Sequence, residues 1–133
     1  MSLLFHMFSS QCERRNFGGS DFIEIQYCRL PQESSIQEIV SEDLIEHWKN
    51  DSLYVYGNDM EAFYQSYESI FTGGIYSSLS TGPMDLCGIN FYSHKQADLI
   101  QERIKAQTPP DWQVLLEWLK GAKSLVGFYL LGL

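Results

Sequence analysis

The chain has 133 residues, of which 44% are hydrophobic and 14% aromatic, and its formal net charge is −8. This length and composition predict a single domain over residues 1–133 that buries its core without disulfides or a metal. The negative charge repels nucleic acid and anionic membranes, so we expect neither as a partner. No apolar run approaches the roughly 20 residues that a membrane span needs.

The three cysteines, Cys12, Cys28 and Cys87, are an odd number and lie far apart in the chain. They suggest neither a disulfide framework nor a CxxC pair of the kind that binds zinc. The N-terminus is apolar but lacks a basic region and a small-residue cleavage site, so a signal peptide is not expected. Reduced thiols and a cytoplasmic location are the resulting expectation.

Residues 1–20 show no regular period, and we predict a mobile or irregular arm there, with a turn near its end. Residues 21–30 alternate between apolar and polar side chains, which predicts a strand with one buried face. The face predicted to be core carries Ile23, Ile25 and Tyr27. The face predicted to be half exposed carries Phe22, Glu24, Gln26 and Cys28.

Helical and strand periods alternate through the middle of the chain. Ser41 is predicted to cap a short helix, unless the residues on either side of it form one bent helix. Asn58 and Glu61 have the spacing of a capping box, and Gly73-Gly74 is predicted to end the helix that they begin. The elements predicted here are a helical segment over 36–48, a strand over 53–56, a helix over 60–71, a strand over 75–79 and a loop over 80–83.

The C-terminal part has the sharpest boundaries. Ser93 is placed to cap a helix, and the inward residues of that helix are predicted to include Leu99. Pro109 suits the first position of the next helix, because its missing N–H would be unbonded there in any case. Gly121 is predicted to end that second helix. The predicted elements are a strand over 88–92, a helix over 94–105, a helix over 109–120 and a strand over 126–131.

Short strands that alternate with helices in one chain of this length are typical of mixed architectures. We therefore predict an α+β fold: a single domain with a mixed or antiparallel sheet of about four to five strands and about four helices packed on it.

Catalytic signals are weak along the whole chain. A nucleophilic thiol needs a histidine within reach, and Cys87, Asp85 and His94 are close in sequence. The strand between Cys87 and His94 would nevertheless hold them roughly 20 Å apart. The histidines have no metal-binding spacing. We predict no catalytic residue, no cofactor and no metal ligand, and keep as an alternative a small hydrolase that uses Cys87 or a pair of carboxylates.

Tyrosines and carboxylates occur together in the middle of the chain. A tyrosine can bury its ring while its hydroxyl stays in water, and aromatic rings are common anchors in protein interfaces. Carboxylates beside such rings complement a basic partner. The candidate partner-binding residues are Asp43, Glu46, Tyr54, Tyr56, Asp59, Glu61, Tyr64 and Glu68.

One sequence of motifs covers residues 21–133. It consists of Trp48-Lys49-Asn50, the strand at 53–56, Gly73-Gly74-Ile75-Tyr76, the run 88–93, Pro109-Pro110-Asp111-Trp112 and the run 127–132. Its order and style resemble small acidic bacterial immunity proteins, which accompany polymorphic or contact-dependent toxins. The resemblance transfers no individual residue, because immunity families share no set of functional residues.

The resemblance implies a function that agrees with the charge of the chain. An immunity protein binds one toxin domain tightly and blocks its active site, and many such toxin domains are basic nucleases. We expect a non-enzymatic acidic domain in the bacterial cytoplasm that neutralises a cognate basic toxin. An adaptor or a homo-oligomeric interaction domain is the other alternative, and the sequence leaves the oligomeric state open.

Overall fold

A computed structural model of the protein describes residues 3–132, so residues 1, 2 and 133 of the predicted domain lie outside the described part. A single sheet runs through it, with strand order β2-β1-β6-β5-β3-β4 and antiparallel pairing between all neighbours. The strands are β1 (Phe22–Cys28), β2 (Leu53–Tyr56), β3 (Thr72–Ile75), β4 (Thr81–Pro83), β5 (Ile89–Ser93) and β6 (Gly127–Leu131). The predicted α+β class is confirmed, with one strand more than the upper number expected.

Five α-helices accompany the sheet within the described residues, one more than expected. They are α1 (Gln11–Gly18), α2 (Ile36–Ile39), α3 (Met60–Tyr67), α4 (His94–Gln107) and α5 (Trp112–Lys120). Single 3-10 turns cover Glu42–Leu44 and Gly57–Asp59. The 36–48 segment is therefore a short helix followed by a turn after Ser41, and not one bent helix.

Local capping signals gave mixed results. Ser93 caps α4 as predicted, in a capping box completed by Gln96. The box predicted at Asn58 and Glu61 is wrong, because Gly57–Asp59 forms a 3-10 turn and Asp59, without a side-chain bond, is the cap of α3. The side chain of Leu99 is 54% exposed, so its predicted inward position is also wrong.

The glycine pair after α3 belongs to a strand. Gly73-Gly74 lies within β3, whereas the prediction ended a helix there and began a strand at 75. A Cβ on Gly74 would come within 3.1 Å of three atoms of Tyr92, so the missing side chain makes room for that buried ring. The residues after Ile75 turn back into β4, where a loop was predicted.

Helices α3, α4 and α5 cover one face of the sheet, here called the helical face. Ile23, Ile25, Val55, Phe128 and Leu130 point toward them and belong to the largest core cluster. The helices contribute Phe63, Tyr67, Ile100, Ile104, Leu115 and Leu119 to the same cluster. This face confirms the predicted inward isoleucines of β1.

The opposite face of the sheet, here called the second face, is also covered, which corrects the prediction of a half-exposed surface. Glu24 and Gln26 are only 3% and 4% exposed, and Cys28 is buried as well. Ile39, Val40 and Ile45 of the 36–48 segment pack on β5 and β6 there. Alternation along β1 is present, but chain segments distant in sequence bury both of its faces.

The N-terminal segment is structured, which corrects the predicted mobile or irregular arm. Ser10 caps α1 by accepting a hydrogen bond from the Glu13 N–H. His6 pairs with Tyr54 through two backbone hydrogen bonds of 2.9 and 2.8 Å, so this segment lies along the outer edge of β2. Asp111 Oδ2 accepts from the backbone N–H groups of Leu4 and Phe5, which joins the segment to the start of α5.

Candidate functional site

The predicted interface residues occupy two sides of the molecule. Asp43 and Glu46 are exposed in the segment that covers the second face, whereas α3, which carries Glu61 and Tyr64, packs on the helical face. Tyr64 is half-buried, and Glu61 and Glu68 stand three and four residues from it on the exposed side of α3. Asp59, also half-buried, precedes the same helix. The other members of the predicted set are on β2.

The two tyrosines of β2 are less accessible than predicted. Tyr54 is fully buried, which corrects the expectation that its hydroxyl is in water and available to a partner. Its ring lies between Phe8, Phe22 and Trp48, and its hydroxyl contacts Glu24 and the backbone of Lys49. Burial, together with the nearby Glu24 carboxylate, raises the pKa of Tyr54 above its ordinary range.

Tyr56, at the end of the same strand, is half-buried. Its ring packs against Phe17 and Phe22, with centroid distances of 5.6 and 5.4 Å. Only the outer part of this ring is available for a partner, so Tyr56 belongs mainly to the aromatic cluster under α1.

Residues 33–46, here called the acidic segment, carry the most continuous group of exposed carboxylates. No lysine or arginine interrupts the chain between Arg29 and Lys49. At the centre of the segment, Leu44 is 54% exposed. A hydrogen bond of 2.7 Å from Lys49 lowers the pKa of Glu46. The exposed carboxylates of the segment are Glu33, Glu38, Glu42, Asp43 and Glu46.

The acidic segment is held firmly against the sheet. Ile39, Val40 and Ile45 are buried in the second-face cluster. The Tyr129 hydroxyl donates to the Ile39 carbonyl at 2.5 Å, and the Gln26 amide donates to the Glu46 carbonyl at 2.6 Å. The carboxylates therefore project from an ordered backbone, which lowers the entropic cost of presenting them to a partner.

Beneath this segment lies Glu24, a buried carboxylate that the sequence analysis placed at a half-exposed position. Its Oε2 atom accepts from Gln26 Nε2 at 2.9 Å and Ser52 Oγ at 2.7 Å, and the Tyr54 hydroxyl is 3.1 Å away. Its Oε1 atom is buried and has no partner. Burial raises the pKa of Glu24, although these hydrogen bonds and the nearby His47 oppose the shift.

Arg14 of α1 is the corresponding buried cation, at 8% exposure. Its guanidinium carbon lies 5.3 Å from the ring centroids of both Trp48 and Tyr54, a favourable cation–π distance. Nη1 donates to the His47 carbonyl at 3.2 Å, whereas Nε is buried without a partner. None of the ion pairs among the described residues joins Arg14 to Glu24.

Arg14 and Glu24 line one open cavity of about 390 Å³ between α1 and β1, here called the Glu24 cavity. Phe22 and Leu131 give it apolar walls, and the exposed residues Ser20, Asp21 and His47 complete its lining. Sequence analysis missed this site because Arg14 was assigned to a turn and Glu24 to a half-exposed face. An available signal was the pattern Ser10-x-x-Glu13, which is typical of a helix start and places Arg14 inside a helix.

The hydrolase alternative centred on Cys87 gains no assembled constellation within residues 3–132. Cys87 is exposed before β5 and His94 begins α4 after β5, so the whole strand separates them. Asp85 accepts from the Cys87 backbone N–H, while His94 is 4.0 Å from Asp98. His94 and Asp98 line a separate cavity with Gln101, Lys120 and Lys123.

Two further searches concern the described residues alone. Over residues 3–132, no group of three or more histidines, cysteines or carboxylates is arranged to hold a metal ion. None of the helices in that part of the chain is long and apolar enough to cross a membrane.

Comparison with known proteins found no matching family model, and no curated protein or solved structure with significant similarity. Function is therefore argued from surface chemistry and from the motif resemblance.

Proposed function

We propose that the chain is a non-enzymatic protein-binding domain that neutralises a cognate basic toxin domain in the bacterial cytoplasm. The acidic segment is the observation that supports this proposal most. It presents exposed carboxylates on an ordered backbone around the apolar side chain of Leu44. A basic protein is the partner that such a surface attracts, and the overall charge of −8 adds long-range steering.

The division of labour within such an interface follows from its chemistry. Leu44 supplies apolar area that becomes dry on binding, whereas Asp43 and Glu46 supply orientation and rapid encounter. Glu46 already pairs with Lys49, so a partner must compete with that exposed ion pair, which is worth little in water.

The first experiment is co-expression with the protein encoded by the adjacent gene. We expect that protein alone to arrest growth, the present chain to restore growth, and the two to elute as one complex. A harmless neighbour that forms no complex would count against the proposal.

Three double variants with equal charge change then locate the interface. Asp43→Lys with Glu46→Lys should lower the association rate about tenfold or more, because it reverses the attraction at the acidic segment. Glu61→Lys with Glu68→Lys tests the α3 side. Glu102→Lys with Glu117→Lys, on exposed positions of α4 and α5, is the matched control. Equal effects from all three would indicate a response to net charge alone and would remove the acidic segment as the interface.

Self-association is a second candidate that a separate observation favours. Leu3, Met7 and Phe17 are each more than half exposed, and all lie in the N-terminal segment. Exposed apolar side chains close together are typical of contact surfaces. Light scattering at two protein concentrations distinguishes the candidates, since a mass that doubles with concentration and falls back in Phe17→Ser would indicate a dimer.

A further inference from the structure

We propose that the Glu24 cavity binds a planar amide group, whose N–H donates to Glu24 Oε1 and whose carbonyl oxygen accepts from Arg14 Nε. This inference is independent of the toxin partner and concerns a site on the second face that lies beneath α1.

The first step of the argument is the unequal use of the two Glu24 oxygens. Gln26 and Ser52 both donate to Oε2, and Oε1 has no donor, although the residue is 97% buried. Buried polar atoms are almost always hydrogen-bonded, so an unpartnered carboxylate oxygen indicates a missing donor.

The second step is the complementary vacancy on Arg14. Its Nη1 is used by the His47 carbonyl and its Nε–H has no acceptor, in a side chain that is 92% buried. Both side chains line the same cavity and do not pair with each other within the 4.0 Å of an ion pair. A single group placed between them must therefore carry a donor and an acceptor.

The charges around the cavity select a neutral group. An anion would satisfy Arg14 but would face the carboxylates of Glu24 and Asp21, and a cation would satisfy Glu24 but would face Arg14. A planar amide carries an N–H and a C=O side by side without net charge. The flat Phe22 ring in the cavity wall suits a planar ligand.

The size of the cavity agrees with a small molecule. A volume of about 390 Å³ lies within the range of small-ligand sites, and Phe22 and Leu131 supply apolar contact. The same amide chemistry is available from a free small molecule or from a glutamine side chain in a peptide. The two sources are distinguished by the choice of probe.

The test uses amide NMR titrations of the full chain. The probes are benzamide, its charged counterpart benzoate, and a capped glycine-rich pentapeptide with a central glutamine. We expect benzamide or the peptide to shift resonances of residues around the cavity, with about tenfold preference for the amide over benzoate. Binding of benzamide would assign a free small molecule, and binding of the peptide alone would assign a protein side chain.

Glu24→Gln provides the decisive variant. Gln26 and Ser52 would hold the new carbonyl oxygen, so the new amide nitrogen would face the cavity as a donor beside Arg14. The preference should then invert toward benzoate. Glu117→Gln removes one carboxylate from exposed α5 and should leave the preference unchanged.

Two results would overturn the inference. If no probe binds the wild-type chain, water alone fills the cavity. If Glu24→Gln retains the wild-type preference while its amide spectrum shows a folded protein, the ligand binds elsewhere.

Discussion

Glu24 places a carboxylate inside the second face, and the consequence is a pH-dependent contribution to stability. Arg14, His47 and Tyr54 are the ionisable groups that face it, and Ser52 and Gln26 donate hydrogen bonds to it. Burial outweighs these contacts and raises its pKa from the ordinary value of 4.5. The folded chain therefore holds the Glu24 proton more tightly than the unfolded chain does.

The sign of the effect follows from linkage. The contribution of Glu24 to the free energy of unfolding is fully present below the unfolded pKa of 4.5 and is lost as pH rises through the folded pKa. Glu24→Gln does not titrate, so its stability relative to wild type should rise as pH is raised from 4 toward 7. Urea unfolding at several pH values measures this difference.

Glu117→Gln, at an exposed position, is the control and should run parallel to wild type across the series. A Glu24→Gln curve that also runs parallel would show that Glu24 titrates alike in the folded and unfolded chains.

At this residue scale, sequence patterns identified the inward residues of β1 and failed for the outward ones. Alternation shows which side chains share a face, and Ile23 and Ile25 do lie in the main core. Burial of Glu24 and Gln26 depends on α1 and the acidic segment, whose contacts are tertiary. The candidate pair Arg14 and Glu24 was missed for the same reason.

Among the elements, the N-terminal segment depends on a single carboxylate for its attachment to α5. Asp111 accepts from the N–H groups of Leu4 and Phe5 at 3.1 and 3.0 Å. Its own φ is +61°, a conformation that asparagine and glycine tolerate better than most residues. The two functions of Asp111 can therefore be separated by substitution.

We expect Asp111→Gly to accept the backbone conformation but to lose both hydrogen bonds, and so to destabilise the protein by about 1–3 kcal/mol. Hydrogen exchange at Leu4, Phe5 and Tyr54 should accelerate, because the N-terminal segment would open locally. Asp111→Asn keeps an acceptor oxygen and is the matched control. Equal exchange rates in the two variants would mean that the segment is held by its apolar contacts alone.

The predictability of the elements depended on how local their signals are. The helix α4 and the cap at Ser93 were predicted correctly because the capping box and the apolar period lie within the helix itself. The helix α1 was missed because only Cys12 and Phe17 in it are apolar, too few to show a helical period. The glycine pair of β3 was misread because its purpose is to accommodate Tyr92, which is distant in sequence.

For the whole molecule, charge is the property that reaches beyond individual contacts. A net charge of −8 on 133 residues generates self-repulsion in the compact state, which added salt screens. We expect the free energy of unfolding to rise by about 1 kcal/mol between low salt and 0.5 M NaCl. Guanidinium is itself a salt, so urea is the denaturant for this measurement.

Glu61→Lys with Glu68→Lys provides the comparison, since each replacement changes the charge by two and the double variant carries −4. Its gain in stability with salt should be smaller than that of wild type. An equal gain would attribute the effect to general strengthening of apolar burial by salt, and not to charge.

Sequence patterns reached the α+β class at this scale but not the order of the strands. Strand order depends on which faces and edges meet in three dimensions, and the strands of this chain have similar lengths and apolar character. The sixth strand in chain order lies between the first and the fifth.

That position of β6 has a consequence for synthesis on the ribosome. Until residues 127–131 have left the exit tunnel, β1 with β2 and β5 with β3 and β4 are two separate ribbons, each with an open edge facing the gap. Open strand edges are sites of aggregation, and contacts between distant segments form slowly. The nascent protein therefore completes its sheet only after translation has passed β6, and a chaperone that shields strand edges would act on it before that moment.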